Sequence, residues 1–125
     1  MIPKILIVDD EPDIRHLIEV VLQSSKRWSV LSADCGDQAV EIAWRERPSL
    51  ILLDQRMPNG DGLTTLLRLR DDPRTKDTPV ILMTANGGRP PAPGFAGVIA
   101  KPFDPFTLLA RIETIFETST SSPPR

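Results

Sequence analysis

The chain has 125 residues, 40% of them hydrophobic, which is enough for one domain with its own core. A formal net charge of −2 without a long basic run argues against direct nucleic-acid binding as the main function of this domain. No stretch resembles a signal peptide or a membrane span, and the single cysteine, Cys35, cannot form an internal disulfide, so we expect a cytoplasmic location and no membrane partner.

Apolar and β-prone runs alternate with helical patterns along the chain. Ile5–Val8 is the first run, and Trp28–Ala33 is a polar-interrupted run that suggests an edge strand. Leu50–Leu53, Val80–Met83 and Val98–Ala100 follow. Continuous apolar runs of this length are typical of parallel strands that are covered by helices on both faces. The sequence therefore predicts an α/β fold with a doubly wound parallel sheet.

Helical spacing of apolar residues predicts helices between these strands. Pro12 suits the first turn of the first helix. The second helix is expected from Asp37 to Arg47, where Pro48 stops it. The third is expected from about Gly62 to Arg70, with three leucines turned inward, namely Leu63, Leu66 and Leu67.

The last helix has the clearest boundary signals, with Asp104 as its N-cap and Pro105 at its first position. One apolar stripe runs along it, formed by Leu108, Leu109, Ile112, Ile115 and Phe116. We place the end of the domain at residue 117. Residues 118–125 are rich in Ser, Thr and Pro and predict a disordered tail or the start of an interdomain linker.

Polar residues follow the strands of the predicted sheet where each strand ends. Asp9 and Asp10 follow the first strand, Asp54 the third, Thr84 the fourth and Lys101 the fifth. Ligands of open parallel sheets bind in the crevice at the carboxyl ends of the strands. We therefore expect these five side chains to converge on one site.

This set of side chains suits phosphoryl transfer. Clustered carboxylates repel one another unless a cation lies among them, and hard oxygen ligands suit Mg²⁺. Asp54 would then be both a metal ligand and a nucleophile that forms an aspartyl-phosphate. Lys101 would supply a positive charge and Thr84 a hydroxyl donor to the phosphoryl oxygens.

These motifs resemble the receiver domain of two-component response regulators over about Pro3 to Glu117. The matching segments are Val8-Asp9-Asp10-Glu11-Pro12, Asp54-Gln55-Arg56-Met57-Pro58-Asn59-Gly60-Asp61-Gly62, Thr84-Ala85 and Lys101-Pro102-Phe103. The resemblance implies a flavodoxin-like, five-stranded sheet of order 2-1-3-4-5 flanked by five helices. It also implies a phosphorylation-dependent switch in a phosphorelay, with a histidine kinase or phosphotransfer protein and a downstream output domain or protein as partners.

The resemblance further assigns roles to site residues. Asp54 takes the phosphoryl group from a phosphohistidine, and Asp10 and Asp54 bind Mg²⁺ directly. Asp9 binds Mg²⁺ through water, and the backbone carbonyl of Arg56 completes the protein ligands. We interpret Asp61 as a turn and cap residue rather than a ligand.

The chain departs from the family pattern before Lys101. Receiver domains usually carry an aromatic residue, often Tyr, where this chain has Val98. The segment from Asn86 to Gly94 is full of helix breakers, so we expect the usual fourth helix to be short or replaced by a Pro-rich loop. The usual dimer face would then be remodelled, which predicts a monomer or a weak dimer. A polyproline ligand is the alternative interpretation of the prolines.

Two alternative functions remain. A phosphohydrolase of the haloacid dehalogenase type also forms an aspartyl-phosphate with Mg²⁺, but it needs a second aspartate where this chain has Arg56. A degenerate receiver acting as a constitutive docking module is the other alternative. Because all five site residues are present, we expect a regulator that catalyses only its own phosphorylation and dephosphorylation.

Overall fold

The computed structural model describes residues 2–56, 61–85 and 94–120. Within these residues the chain forms, in order, β1 (Lys4–Val8), α1 (Pro12–Ser24), β2 (Ser29–Ala33), α2 (Gly36–Glu46), β3 (Leu50–Asp54), α3 (Gly62–Arg70), β4 (Val80–Thr84), β5 (Gly97–Ala100) and α4 (Pro105–Thr120). All neighbouring strands are parallel, in the order β2-β1-β3-β4-β5. The predicted doubly wound, flavodoxin-like sheet is confirmed.

Each face of the sheet carries its own hydrophobic core, because successive strand residues point to opposite faces. One core packs α1 and α4 on the sheet, and its fully buried members include Ile5, Ile7, Ile18, Leu22, Leu50, Leu52, Ile81 and Ile112. The other packs α2 and α3, and its members include Leu6, Val8, Val40, Ala43, Ile51, Leu53, Leu66 and Leu69. Burial on both faces explains why β1, β3 and β4 are apolar almost throughout.

The start of α1 and both ends of α2 lie within one residue of their predicted positions. Pro12 is the first residue of α1, as expected. The second helix begins at Gly36 and ends at Glu46, so Arg47 is its C-cap rather than its last helical residue. Arg47 has a left-handed φ of 49°, and its N–H donates to the Ala43 carbonyl at 2.9 Å. Pro48 then prevents the helix from continuing.

The inward face of α3 differs from the prediction. Leu66 is buried as expected, but Leu63 and Leu67 are 41% and 59% exposed. The buried face is instead formed by Gly62, Thr65, Leu66 and Leu69. These positions form a single helical stripe. Two of the four are the small residues Gly62 and Thr65, which lie close to Leu82 of β4 and Gly36 of α2.

The last helix is longer than predicted. Its start agrees, since the Asp104 carboxylate accepts the Phe106 N–H at 2.9 Å. Its end lies at Thr120, so residues 118–120 are helical rather than part of a disordered tail. The Thr118 and Ser119 hydroxyls donate to carbonyls one turn earlier, at 2.9 and 3.0 Å. Residues 121–125 of the predicted tail lie outside the described residues.

Gly94, three residues before β5, lies beside α3. Residues 86–93, where a Pro-rich loop is predicted in place of a fourth helix, lie outside the described residues. Gly94 has a φ of +103°, and an added Cβ would lie 3.0 Å from the Leu66 side chain. The Arg70 guanidinium donates to the Gly94 carbonyl at 3.2 Å. Among the described residues, no helix is both long and apolar enough to cross a membrane.

Candidate functional site

An open cleft of about 740 Å³ lies at the carboxyl ends of the central strands. Its walls are formed by Asp10, Glu11, Asp54, Gln55, Arg56, Asp61, Thr84, Ala85 and Lys101. Four of the five polar residues predicted to converge therefore line one cleft. The fifth, Asp9, is fully buried behind them and contacts Lys101.

Three carboxylates form the acidic part of the site. Ligand oxygens of Asp9, Asp10 and Asp54 all lie within 4.8 Å of one another. Asp9 is completely buried and Asp54 is 5% exposed, whereas Asp10 is open to solvent. Hard oxygen donors at this spacing, with one side open to water, fit Mg²⁺, which binds few carboxylates and keeps several waters.

Every polar group of Asp9 is held. Its N–H donates to the Ala33 carbonyl at 3.1 Å, which ties the end of β1 to the end of β2. Its carboxylate accepts the Glu11 N–H at 2.9 Å and the Lys101 ammonium at 3.1 Å. Its carbonyl accepts the Arg15 guanidinium at 2.7 Å. Asp9 is therefore a fixed part of the site.

Lys101 brings a positive charge to the buried carboxylates of the cleft. Its backbone N–H donates to the Thr84 carbonyl at 2.9 Å, so Lys101, directly after β5, is held at the end of β4. Its ammonium lies 3.3 Å from the Asp54 carboxylate and 3.8 Å from that of Glu11. Desolvation lowers the pKa of Lys101, but hydrogen bonds and charge attraction from Asp9 and Asp54 outweigh it and leave the pKa raised.

Asp54 is the last residue of β3, and its neighbours determine both its pKa and the packing around it. Desolvation and the nearby charge of Asp9 raise the pKa of its carboxyl group, although Lys101 and the Arg56 backbone amide oppose this shift. The Gly62 N–H donates to the Gln55 carbonyl at 3.0 Å, which brings the first turn of α3 beside the aspartate. A Cβ on Gly62 would lie 2.8 Å from the Leu82 side chain, so glycine permits this approach.

The remaining predicted residues occupy the rim and wall of the cleft. Thr84 is the last residue of β4 and is 7% exposed. Arg56 follows β3 by two residues and also lines the cleft. Asp61 is the N-cap of α3, because its carboxylate accepts the Thr64 N–H at 2.9 Å, and these hydrogen bonds lower the pKa of Asp61. His16, the only histidine in the sequence, is exposed on α1.

Sequence reasoning missed two contributors from the start of α1. Glu11 lies beside Lys101 in the cleft wall, and Arg15 bonds the Asp9 backbone. The sequence analysis assigned no role to either side chain. Glu11 and Arg15 follow Asp9 by two and six residues. This closeness was the available signal, since residues near a helix start lie close to the strand that precedes it.

The family model of the response regulator receiver domain matches residues 5–113. The chain belongs to this family. Receiver domains are phosphoacceptor signalling switches of two-component systems, and this is the function of the domain. The phosphohydrolase and constitutive docking alternatives are not favoured.

Receiver domains of longer regulators are among the similar proteins. The chain is 36% identical to the DNA-binding dual master transcriptional regulator RpaA of Synechocystis over 97% of its own length and 52% of that protein. It is 35% identical to the phosphate regulon transcriptional regulatory protein PhoB of Escherichia coli, over 92% of the chain and 52% of PhoB. The chain thus spans about half the length of these relatives.

Solved receiver structures share the fold. The receiver domain of the sensor histidine kinase PA1611 from Pseudomonas aeruginosa has a TM-score of 0.83 and 30% identity, over 98% of this chain and 100% of that one. That structure has a magnesium ion coordinated in its active site cleft. The chemotaxis response regulator CheY4 of Vibrio cholerae has a TM-score of 0.82 and 28% identity, over 92% of this chain and 99% of that one.

Proposed function

We propose that Asp54 is the phosphoacceptor of this receiver domain. The observation that carries the proposal is the position of its carboxylate, nearly buried at the cleft floor between the Lys101 ammonium and two further carboxylates. An Asp54 oxygen attacks the phosphorus of a phosphohistidine and forms a new P–O bond. The P–N bond breaks, and the imidazole leaves with its electron pair and takes up a proton.

Lys101 and Thr84 stabilise the transferred group. The Lys101 ammonium favours the ionised, nucleophilic form of Asp54, and after transfer it pairs with a phosphoryl oxygen. The Thr84 hydroxyl donates to a second oxygen from the end of β4. Donors that are fixed before the reaction cost little reorganisation when charge develops on the phosphoryl oxygens.

A magnesium ion belongs to the same proposal. Asp10 and Asp54 would hold it directly, Asp9 through water, and the Arg56 carbonyl would complete the protein ligands. The close spacing of the three carboxylates and the ion in the cleft of the PA1611 receiver domain support this assignment. When bound, the ion neutralises charge on the carboxylates and on a phosphoryl oxygen.

The domain acts on itself in this proposal. It catalyses its own phosphorylation and dephosphorylation and turns over no other substrate, because Arg56 stands where a phosphohydrolase of the haloacid dehalogenase type needs an acid/base aspartate. Its phosphodonor is a histidine kinase or phosphotransfer protein in the cytoplasm. Its readout is an output domain or a protein partner, and the greater length of RpaA and PhoB supports the former.

Intact-mass spectrometry with acetyl phosphate and Mg²⁺ tests the phosphoacceptor. We expect the wild type to gain one phosphoryl group and Asp54→Asn to gain none. Asp61→Asn is the matched control, since this carboxylate lines the same cleft but caps α3, and asparagine is also a good cap. An unmodified wild type, or an Asp54→Asn variant that still gains a phosphoryl group, would refute the assignment.

A further inference from the structure

A guanidinium from α1 supports the acidic cluster from behind. Arg15 is partly buried, and its Nη1 donates to the backbone carbonyl of Asp9 at 2.7 Å. This carbonyl belongs to the peptide that joins Asp9 to Asp10. The hydrogen bond therefore fixes the plane of the peptide between two of the three clustered carboxylates.

The Asp10 carboxylate depends on this backbone for its direction. Within the described residues, no hydrogen bond to the Asp10 side chain is present, and the side chain is exposed. By contrast, the Asp9 carboxylate is held by the Glu11 N–H and by Lys101. The backbone on both sides of Asp10 is thus fixed. The Glu11 N–H after it donates to the Asp9 carboxylate, and the Asp9 carbonyl before it accepts the Arg15 guanidinium.

We propose that Arg15 is a positioning residue of the metal site, which holds the Asp9–Asp10 peptide so that the Asp10 carboxylate faces those of Asp9 and Asp54. The inference rests on the proposed Mg²⁺ site and adds a residue that is not itself a metal ligand. Groups that orient metal ligands from outside the coordination sphere commonly change metal affinity by about 10- to 100-fold when they are removed.

The charge of Arg15 acts in the opposite direction to its hydrogen bond. A cation near the cluster repels Mg²⁺, so a residue that acted through charge alone would weaken metal binding, and its removal would tighten it. A residue that positions Asp10 strengthens binding, and its removal weakens it. The direction of the change in affinity therefore separates the two roles.

Substitution of Arg15 is compatible with a folded protein. Its side chain borders a small polar cleft of about 180 Å³, lined also by Ser32, Ala33, Asp34 and Gln38. Water from this cleft can reach the Asp9 carbonyl when the guanidinium is absent, so the carbonyl keeps a hydrogen-bond partner. Water satisfies the carbonyl without fixing the peptide plane as the planar guanidinium does.

Isothermal titration calorimetry with MgCl₂ on the full chain tests the proposal, with thermal unfolding as a check of folding. We expect Arg15→Met to bind Mg²⁺ about tenfold more weakly than the wild type. Arg15→Lys should lie between the two, because it keeps one donor to the Asp9 carbonyl but lacks the planar guanidinium. Arg27→Met is the matched control, because Arg27 is largely exposed and pairs with Glu113 at 3.2 Å. We expect this variant to bind Mg²⁺ with the wild-type affinity.

A second measurement separates positioning from a structural effect. The Mg²⁺ concentration that gives half-maximal phosphorylation by acetyl phosphate should rise in Arg15→Met, while the rate at saturating Mg²⁺ stays close to the wild-type rate. Equal or tighter Mg²⁺ binding by Arg15→Met would overturn the inference alone. A wild type that binds no Mg²⁺ would overturn the proposed metal site and the inference with it.

Discussion

The Lys101 ammonium lies 3.3 Å from the Asp54 carboxylate, at the boundary between the buried and open parts of the cleft. The same ammonium lies 3.1 Å from Asp9, whose side chain is completely buried. One lysine therefore compensates two carboxylates that water cannot solvate well. This sharing gives Lys101 a role in the stability of the metal-free protein in addition to its proposed role in phosphoryl transfer.

Replacing Lys101 with methionine should destabilise the metal-free protein. We expect the free energy of unfolding to fall by about 2 to 3 kcal/mol, because a buried charge loses its partner while methionine keeps most of the volume. Mg²⁺ should restore more stability to the variant than to the wild type, since it supplies the missing positive charge. Urea unfolding with and without Mg²⁺ measures both effects.

Lys4→Met is the control for this prediction. Lys4 pairs with Glu46 at 2.9 Å, but both side chains are substantially exposed, at 42% and 31%. Exposed ion pairs contribute at most about 1 kcal/mol, and this pair lies outside the cleft. Equal losses in the two variants would contradict the special role of Lys101.

The stability of the metal-free protein should depend on the ionisation of Asp54. Desolvation and the charge of Asp9 raise the pKa of Asp54 in the folded state, so the fold favours the protonated form and ionisation costs stability. Asp54→Asn should therefore be more stable than the wild type above the raised pKa. This advantage should shrink as the pH falls through the raised pKa and vanish below the usual value of 3.8.

Asp61→Asn should behave in the opposite way. Hydrogen bonds from Thr64 lower the pKa of Asp61, so its carboxylate contributes stability above the usual value of 3.8 that is lost as the pH falls through the lowered pKa. Urea unfolding in EDTA from pH 3 to pH 7 compares the two variants. An Asp54→Asn variant that is less stable than the wild type near pH 7 would contradict the expected sign.

Asp10 should contribute metal affinity without contributing to the apo fold. It is the exposed member of the cluster, and its charge repels its two neighbours. Asp10→Asn should lose Mg²⁺ affinity, while the stability of the metal-free protein is preserved or increased. Calorimetry and thermal unfolding measure the two quantities, and an unchanged Mg²⁺ affinity would remove Asp10 from the proposed ligands.

The strand-end residues of the site could be predicted from sequence because the carboxyl ends of parallel strands all lie at one edge of the sheet. Asp54 and Thr84 are the last residues of β3 and β4, and register places them at the same edge as Asp9 and Lys101. The pattern needs no knowledge of side-chain packing. Each apolar run ends where its polar residue begins.

The face of α3 could not be predicted in the same way. Apolar spacing favours Leu63, but close packing decides which side is buried: a Cβ on Gly36 would lie 2.6 Å from the Thr65 hydroxyl. Small residues at such a contact look neutral in a hydrophobicity pattern. The contribution of Arg15 was missed for a related reason, since its bond to Asp9 depends on how α1 leaves β1.

Phosphorylation should not produce a tight dimer through β5 and α4. Val98 on the edge strand lacks the aromatic ring that usually accompanies switching in receiver domains, and its carbonyl accepts the exposed Arg111 side chain at 3.1 Å. We expect the phosphorylated protein to remain a monomer or a weak dimer. Analytical ultracentrifugation with acetyl phosphate and Mg²⁺ measures this, and a phosphorylation-dependent dimer with sub-micromolar affinity would contradict it.

Phe106 should matter for the protein phosphodonor and not for a small one. Its side chain is 94% exposed in the first turn of α4, shortly after Lys101, where an apolar group has no evident role within the fold. Acetyl phosphate reaches Asp54 through the cleft alone, whereas a histidine kinase or phosphotransfer protein must also contact the surface around it. Phe106→Ala should slow phosphotransfer from such a protein by about tenfold, the effect of losing one important aromatic contact.

The comparison requires a phosphorylated histidine kinase or phosphotransfer protein that modifies the wild type, with acetyl phosphate as the second donor. Leu67→Ala is the control, because Leu67 is also an exposed apolar residue, at 59%, but lies on α3 on the opposite face of the sheet. We expect it to leave both reactions unchanged. Equal rates for Phe106→Ala and the wild type with the protein donor would exclude Phe106 from the interface. Equal slowing with both donors would place its effect in the cleft instead, through the loop that joins Lys101 to the Asp104 cap.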